Sequence, residues 1–190
     1  LKEFRLFEKQ DIRRHGGNLV VEASPARSGD TLYIASGAGR VYGIDIARDT
    51  IVWRFDTGSD MEGTSSLTRD SKILCSVEKE FIRGNGGMLK LDPHRRGKQS
   101  VEWFFPTGNV DFASWKGGVI GSQSLWESGP DRSKHWVAFN AIDGNLYVVS
   151  LNTTDGKTVG FDSVTVYPKP KLLLKKNIGG AISTPIVVDD

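Results

Sequence analysis

This sequence is short of the residues that chemistry usually needs. Cysteine occurs once, at Cys75, which excludes an internal disulfide and any zinc site built on paired cysteines. The three histidines, His15, His94 and His135, lie far apart and lack the His-x-His or His-x-x-x-His spacing that converges ligands on a metal. There is no Gly-x-Ser-x-Gly nucleophile elbow. Gly84-Asn-Gly-Gly87 is not followed by the Gly-Lys-Ser/Thr of a phosphate loop, so it reads as a long hairpin. No apolar run approaches the ~18 residues of a membrane helix. Charge of one sign is also missing. Lys and Arg total 25 against 23 Asp and Glu, a net +2 over 190 residues, which does not suggest a nucleic-acid partner. Helical periodicity is scarce: the best candidate, Glu3 to Arg14, does not align Phe4, Leu6, Phe7 and Ile12 on one stripe.

Strand signals are abundant. Hydrophobic residues make up 38% and charged residues 25%, enough for a core and too apolar for wholesale disorder. Leu32–Ser36, Val41–Asp45 and Ile51–Phe55 are short, rich in β-formers and separated by tight turns, which predicts an antiparallel meander. The pattern then repeats. Trp53-Arg-Phe-Asp-Thr-Gly58 matches Trp103-Phe-Phe-Pro-Thr-Gly108, and Leu174-Lys-Lys-Asn-Ile-Gly179 is a third copy with Leu for Trp. Upstream of each lies a glycine-led strand: Gly39 to Asp45 with Tyr42, Gly86 to Asp92, and Gly144 to Ser150 with Tyr147 and with Ser at the Asp position. Small-residue segments complete the order, at Ala23-Ser-Pro25, Glu62 to Leu67 and Ala181 to Ile186.

Repeats of ~40–50 residues with four short strands each suit the blades of a β-propeller, which stack face to face around an axis. Glycine at 39, 86 and 144 suits a tight turn with positive φ or a close backbone approach. A tryptophan between neighbouring blades buries about 150–250 Å², several kcal/mol as an upper bound at ~25 cal/mol per Å².

These residues resemble the quinoprotein-type repeat, also called the PQQ-like or tryptophan-docking propeller repeat. Ser24-Pro25 through Gly58 carries it best, with Gly39, Tyr42, Asp45 and Trp53 in place. The second copy departs by an excursion from Glu78 to Asn85 and three extra residues before Trp103. The third has Gly160 where the turn predicts Trp, and a stretch from Phe161 to Lys171 before Leu174. The resemblance implies an all-β partial β-propeller of four-stranded antiparallel blades, about three to four of them. Residues 1–22 would form an N-terminal segment and 23–190 the blades of an incomplete propeller. Pro185 to Asp190 reads as the first strand of a further blade, so the chain is expected to be part of a larger propeller.

The resemblance also bears on function. Quinone-dependent dehydrogenases of this family use vicinal cysteines and a calcium held by Glu and Asn. Cys75 has no cysteine neighbour and no matching calcium constellation is readable, so no cofactor and no catalytic residue is expected. The expectation is a non-catalytic binding or assembly scaffold of the bacterial cell envelope, periplasmic or secreted. Its partner would be another protein or the rest of the propeller. The alternatives are a fragment of a quinoprotein dehydrogenase and a carbohydrate-associated propeller. Candidate partner-binding residues are Arg95 and Arg96, in the basic run His94 to Lys98, and Trp115 and Trp126, which fall outside the docking position. A solvated loop tip is the bland reading of the basic run, and core packing that of the tryptophans. Asn152-Thr-Thr-Asp-Gly156 lacks the alternating carboxylates of a calcium loop and reads as a polar hairpin turn.

Overall fold

The computed structural model describes residues 3–188 apart from residue 113. Three four-stranded antiparallel sheets follow one another along the chain. Blade I consists of β1 (Ala26–Ser28), β2 (Thr31–Ser36), β3 (Arg40–Asp45) and β4 (Thr50–Asp56). Blade II consists of β5 (Ser66–Leu67), β6 (Ile73–Val77), β7 (Gly87–Leu91) and β8 (Val101–Pro106). A small ribbon, β9 (Asn109–Phe112) with β10 (Trp115–Gly117), precedes blade III. Blade III consists of β11 (Ser124–Trp126), β12 (Trp136–Asn140), β13 (Asn145–Val159) and β14 (Val166–Asn177). The chain is therefore an all-β partial β-propeller with three blades among the described residues. The expected helix shrinks to α1, Lys9–Arg14.

Blade II shows why the sheets stack. Every residue of β6 and β7 is buried. Successive strand residues point to opposite faces, so Ile73, Cys75, Val77, Leu89 and Leu91 join blade I's Tyr33, Ala35, Val41 and Phe55 in one core. Leu74 and Met88 join blade III's Val137, Phe139, Tyr147 and Val149 in another. A sheet apolar on both faces needs a neighbour on each side.

The tryptophans dock across those junctions. Trp53 Nε1 donates to the Arg95 carbonyl of blade II at 2.8 Å, and Trp103 Nε1 donates to the Leu151 carbonyl of blade III at 3.0 Å. Both rings are buried, 3% and 2% exposed. Each indole thus buries its area and satisfies its only polar atom on the neighbouring blade. Leu174, the third counterpart, is 47% exposed on β14.

Other parts of the repeat acquire a mechanism. The amides of Thr57, Thr107 and Ile178 donate to the carbonyls of Gly39, Gly86 and Gly144 at 2.8, 3.0 and 2.8 Å, pinning the end of each blade to its own turn. Gly39 and Gly144 have φ of +75° and +89°. Gly86 has no such φ, but a Cβ there would lie 2.5 Å from the Val77 carbonyl oxygen. Asp45 Oδ1 accepts from the Ala47 and Arg48 amides, Asp92 Oδ1 from His94, and Ser150 Oγ from Thr153. Serine at the Asp position accepts a following amide in the same way, although the chain after Ser150 continues along β13 instead of turning.

Two expectations are corrected. Asn152 to Gly156 is not a hairpin turn: it lies inside β13, where Gly156 at φ +76° permits an irregularity in the ladder, and the reversal comes at residues 160–165. Residues 185–188 form no strand, while Asp189 and Asp190 lie outside the described residues. Thr184, just before them, is nevertheless held. Ser24 N donates to Thr64 Oγ1, Thr64 N to Ser122 Oγ, and Ser122 N to Thr184 Oγ1, at 3.1, 2.9 and 3.0 Å. One hydrogen bond is passed from each inter-blade connection to the next.

The stretch from Phe161 to Lys171 is the far end of a long β13–β14 ribbon that reaches back across blade II. It places the Phe161 ring 6.1 Å from Phe55 of blade I and 5.8 Å from Phe104 of blade II, stacked on Tyr167 at 5.9 Å. Gly84 N donates to the Phe161 carbonyl at 3.1 Å. A side chain at Gly160 would collide with the Tyr167 ring, so tryptophan does not fit there.

Trp103→Ala is expected to cost about 3–5 kcal/mol in urea unfolding, the range for buried aromatic truncation. Trp103→Phe, which keeps most of the area but removes the indole's hydrogen bond to the Leu151 carbonyl, is expected to cost about 1–2 kcal/mol. A Trp103→Phe variant as stable as the parent would show that the hydrogen bond contributes nothing.

Candidate functional site

Where blade I, blade II and the ribbon meet, the surface opens into a cleft of about 570 Å³. Its apolar wall comes from Phe55, Phe161 and Tyr167, side chains that also close the blade I–II core. Its rim is basic, with Arg14 from α1, Arg54 from β4, and Arg96 and Lys98 from the β7–β8 connection. Asp56 and Asp162 are its acidic lining residues.

The rim cations differ in how far they are already engaged. Arg54 Nη1 meets Glu8 Oε1 at 2.7 Å, and Arg14 lies 3.5 Å from Asp56. Lys98 Nζ meets Asp162 at 3.1 Å and also contacts Thr165 Oγ1. Asp162 is held well below the usual carboxylate range: burial opposes this, but hydrogen bonds from Thr165, Val164 and Lys98 outweigh it. Arg96 donates to the Val52 carbonyl at 2.8 Å and has no carboxylate partner among the described residues.

Behind the rim, Arg40 anchors the N-terminal segment. Its guanidinium forks onto buried Asp11, with both contacts at 3.0 Å, and reaches Glu8 and Asp56 at 3.6 and 3.3 Å. Burial would raise the Asp11 pKa, but the Arg40 hydrogen bonds and the Glu8 amide hold it down. Ser36 Oγ donates to the Leu6 carbonyl, and Gly37 N to Val20, so residues 6–20 are laced onto blade I. Arg14, Arg54 and Glu8 owe their positions to this lacing.

The four residues expected to bind a partner are dispersed. Arg95 works within the fold, since its carbonyl takes the Trp53 indole and its Nε lies 3.3 Å from Asp92. Arg96, next to it, lines the cleft. Trp126 is half-buried on β11, stacked on Trp136 at 5.9 Å. Trp115 lies on β10, half-buried. Sequence reasoning missed Phe161, Tyr167 and Arg54, because the cleft is made by the ribbon folding back over two other blades. The aromatic-rich departure from the repeat, Phe161 to Tyr167, was the available signal.

A second cluster lies beyond the cleft. Oxygen atoms of Asp60, Glu62 and Glu78 fall within 4.8 Å of one another, an arrangement of the kind that holds a metal ion. Burial first, and then the neighbouring acids, push these carboxyls up to about 6, 7 and 8. Cys75 is buried, with its thiol pushed up by burial alone.

No protein-family model matches the chain, and no curated protein matches it. Among solved structures, BamB from Moraxella catarrhalis is similar at a TM-score of 0.49 and 12% identity, over 90% of this chain and 38% of that one. The chain thus spans less than half the length of that neighbour. Among the described residues, no helix is long and apolar enough to cross a membrane.

Arg40→Met is expected to destabilise the protein by about 3–5 kcal/mol, because it leaves Asp11 charged and buried without its partner. Adding Asp11→Leu is expected to restore most of that loss, read by urea unfolding of both variants.

Proposed function

We propose that the chain is a non-catalytic propeller scaffold of the quinoprotein-type repeat that binds an acidic segment of a partner protein in the blade I–II cleft. The observation that carries this reading is Arg96, a guanidinium without a carboxylate partner at the rim of a cleft walled by Phe55, Phe161 and Tyr167. Of the lining residues, five are cationic (Arg14, Arg40, Arg54, Arg96, Lys98) and two anionic (Asp56, Asp162). Carboxylates are attracted to such a rim, and apolar side chains of the same segment fill the wall. Guanidinium is well suited because its fork matches a carboxylate and it stacks on aromatic faces. The basic tip and the aromatic insertion thus belong to one recognition surface. Residence in the bacterial cell envelope belongs to the same proposal and is supported by the repeat motif.

A fluorescent hexapeptide of alternating Glu and Phe is expected to bind the intact chain, more weakly as salt rises, while its Lys–Phe counterpart is not. Arg96→Ala should weaken binding about tenfold, as expected for a lost charge-assisted hydrogen bond. Arg27→Ala, on blade I away from the cleft, should leave it unchanged. Equal affinity for both peptides, or an Arg96→Ala variant that binds as tightly as the parent, would refute the reading.

A further inference from the structure

Buried carboxylates elsewhere in this chain have cations. Asp11 has Arg40, and Asp92 has Lys72 at 3.0 Å as well as Arg95. Asp60, Glu62 and Glu78 break that rule. The charged groups acting on Glu62 and Glu78 are all acids, with Glu22 and Glu80 beside the three. Asp60 is partly satisfied by the Met61 amide and Asn18 Nδ2, at 2.7 and 3.0 Å. Glu78 is only 4% exposed and, among the described residues, its carboxylate accepts no hydrogen bond and forms no ion pair, yet it points into the group. A second buried polar atom is left over beside it. Ser76 Oγ, two residues before Glu78, is fully buried without a partner and packs against Gly63, the residue after Glu62. Unpaired buried charge is costly unless something positive joins it.

We infer that Asp60, Glu62 and Glu78 form a binding site for a divalent cation of the Ca²⁺ type. The donor set is all oxygen, as a hard cation requires, and contains neither the histidine nor the thiolate that would select zinc. Two oxygens on opposite sides of a Ca²⁺ ion, each about 2.4 Å away, stand about 4.8 Å apart, so the observed separations fit within its shell. Glu22 and Glu80 add negative field around the site. The ion would tie the blade I–II connection, which carries Asp60 and Glu62, to the end of β6, where Glu78 N already donates to the Asp60 carbonyl at 3.1 Å. The site is separate from the basic cleft and does not depend on what the cleft binds.

The test is calcium titration of the intact chain after chelation and desalting, by calorimetry and by thermal melting. One Ca²⁺ per chain is expected, with Tm rising by about 5–10 °C at a hundredfold excess over Kd. Glu78→Gln should melt higher than the parent in EDTA, since it relieves repulsion, and should lose the calcium-dependent rise. Glu62→Gln serves in its place if that variant fails to fold. A parent protein whose Tm is the same in EDTA and in about 10 mM Ca²⁺, Mg²⁺ or Mn²⁺ would overturn the site, with protons then left as what neutralises the carboxylates. So would a Glu78→Gln variant that keeps the full calcium shift.

Discussion

A sheet that is apolar on both faces cannot stand alone, and the rest of this structure depends on that constraint. Blade II is the clearest case, because neither face of β6 or β7 reaches water. Area alone would let the blades slide, since burial is non-directional. The indoles supply direction. A buried N–H has to find an acceptor, and each finds one backbone carbonyl on the next blade, Arg95 for Trp53 and Leu151 for Trp103. The bonds linking Ser24, Thr64, Ser122 and Thr184 fix a second point of each junction. Two fixed points per junction set the angle between blades, which stacking alone leaves free.

Electrostatics follows the same economy. Buried charge is used where a non-repeated part must be attached to the repeat: Arg40 holds the N-terminal segment through Asp11. Within blade II, Lys90 is 3% exposed, lies 3.0 Å from Glu102 and donates to the Leu151 carbonyl of the next blade. Such pairs break even at best against apolar packing, but they discriminate sharply against misplacement, because a displaced partner leaves a buried charge. The acidic group at Asp60, Glu62 and Glu78 stands apart, having geometry without compensation.

The repeat was legible in the sequence because its residues act through local backbone geometry. Glycine at 39 and 144, the Asp or Ser whose side chain accepts an amide two or three residues on, and the Trp of the blade's last strand each have a fixed offset. Their roles survive substitution of like for like, as Ser150 illustrates. Ser122 was not legible. A serine in a loop carries no offset signal, and the hydroxyl ladder aligns Thr64 with Thr184, where the motif match set Thr64 against Ser183. The long ribbon was legible only as an interruption. Residues 152–156 look like a turn by composition, yet Gly156 serves an irregular strand and the reversal lies further on, because the Phe161 and Tyr167 rings have a core to reach. The cleft was half legible: the basic run located Arg96 and Lys98, while the aromatic wall required knowing where the ribbon goes.

The third blade shows what the same rules do at an open face. Leu172, Leu173 and Leu174 are each more than 40% exposed, a cost no interior blade bears. The strand that carries them is also set with Lys169, Lys171, Lys175 and Lys176, and lysines on an edge strand oppose pairing with stray strands. Lys175 and Lys169 lie over the Tyr147 and Phe105 rings, 5.5 Å from each centroid, so their stems cover apolar surface while their charge stays in water. Docking and protection are thus read from one strand. Leucine keeps the face able to accept an apolar surface, and lysine along the same strand disfavours an edge-on partner. The departures from the repeat cluster on the opposite side, where the N-terminal segment, the β7–β8 connection and the ribbon tip converge on blade I. The cleft is where these non-repeated parts are brought together, on a wall of Phe55, Phe161 and Tyr167 that also closes the blade I–II core.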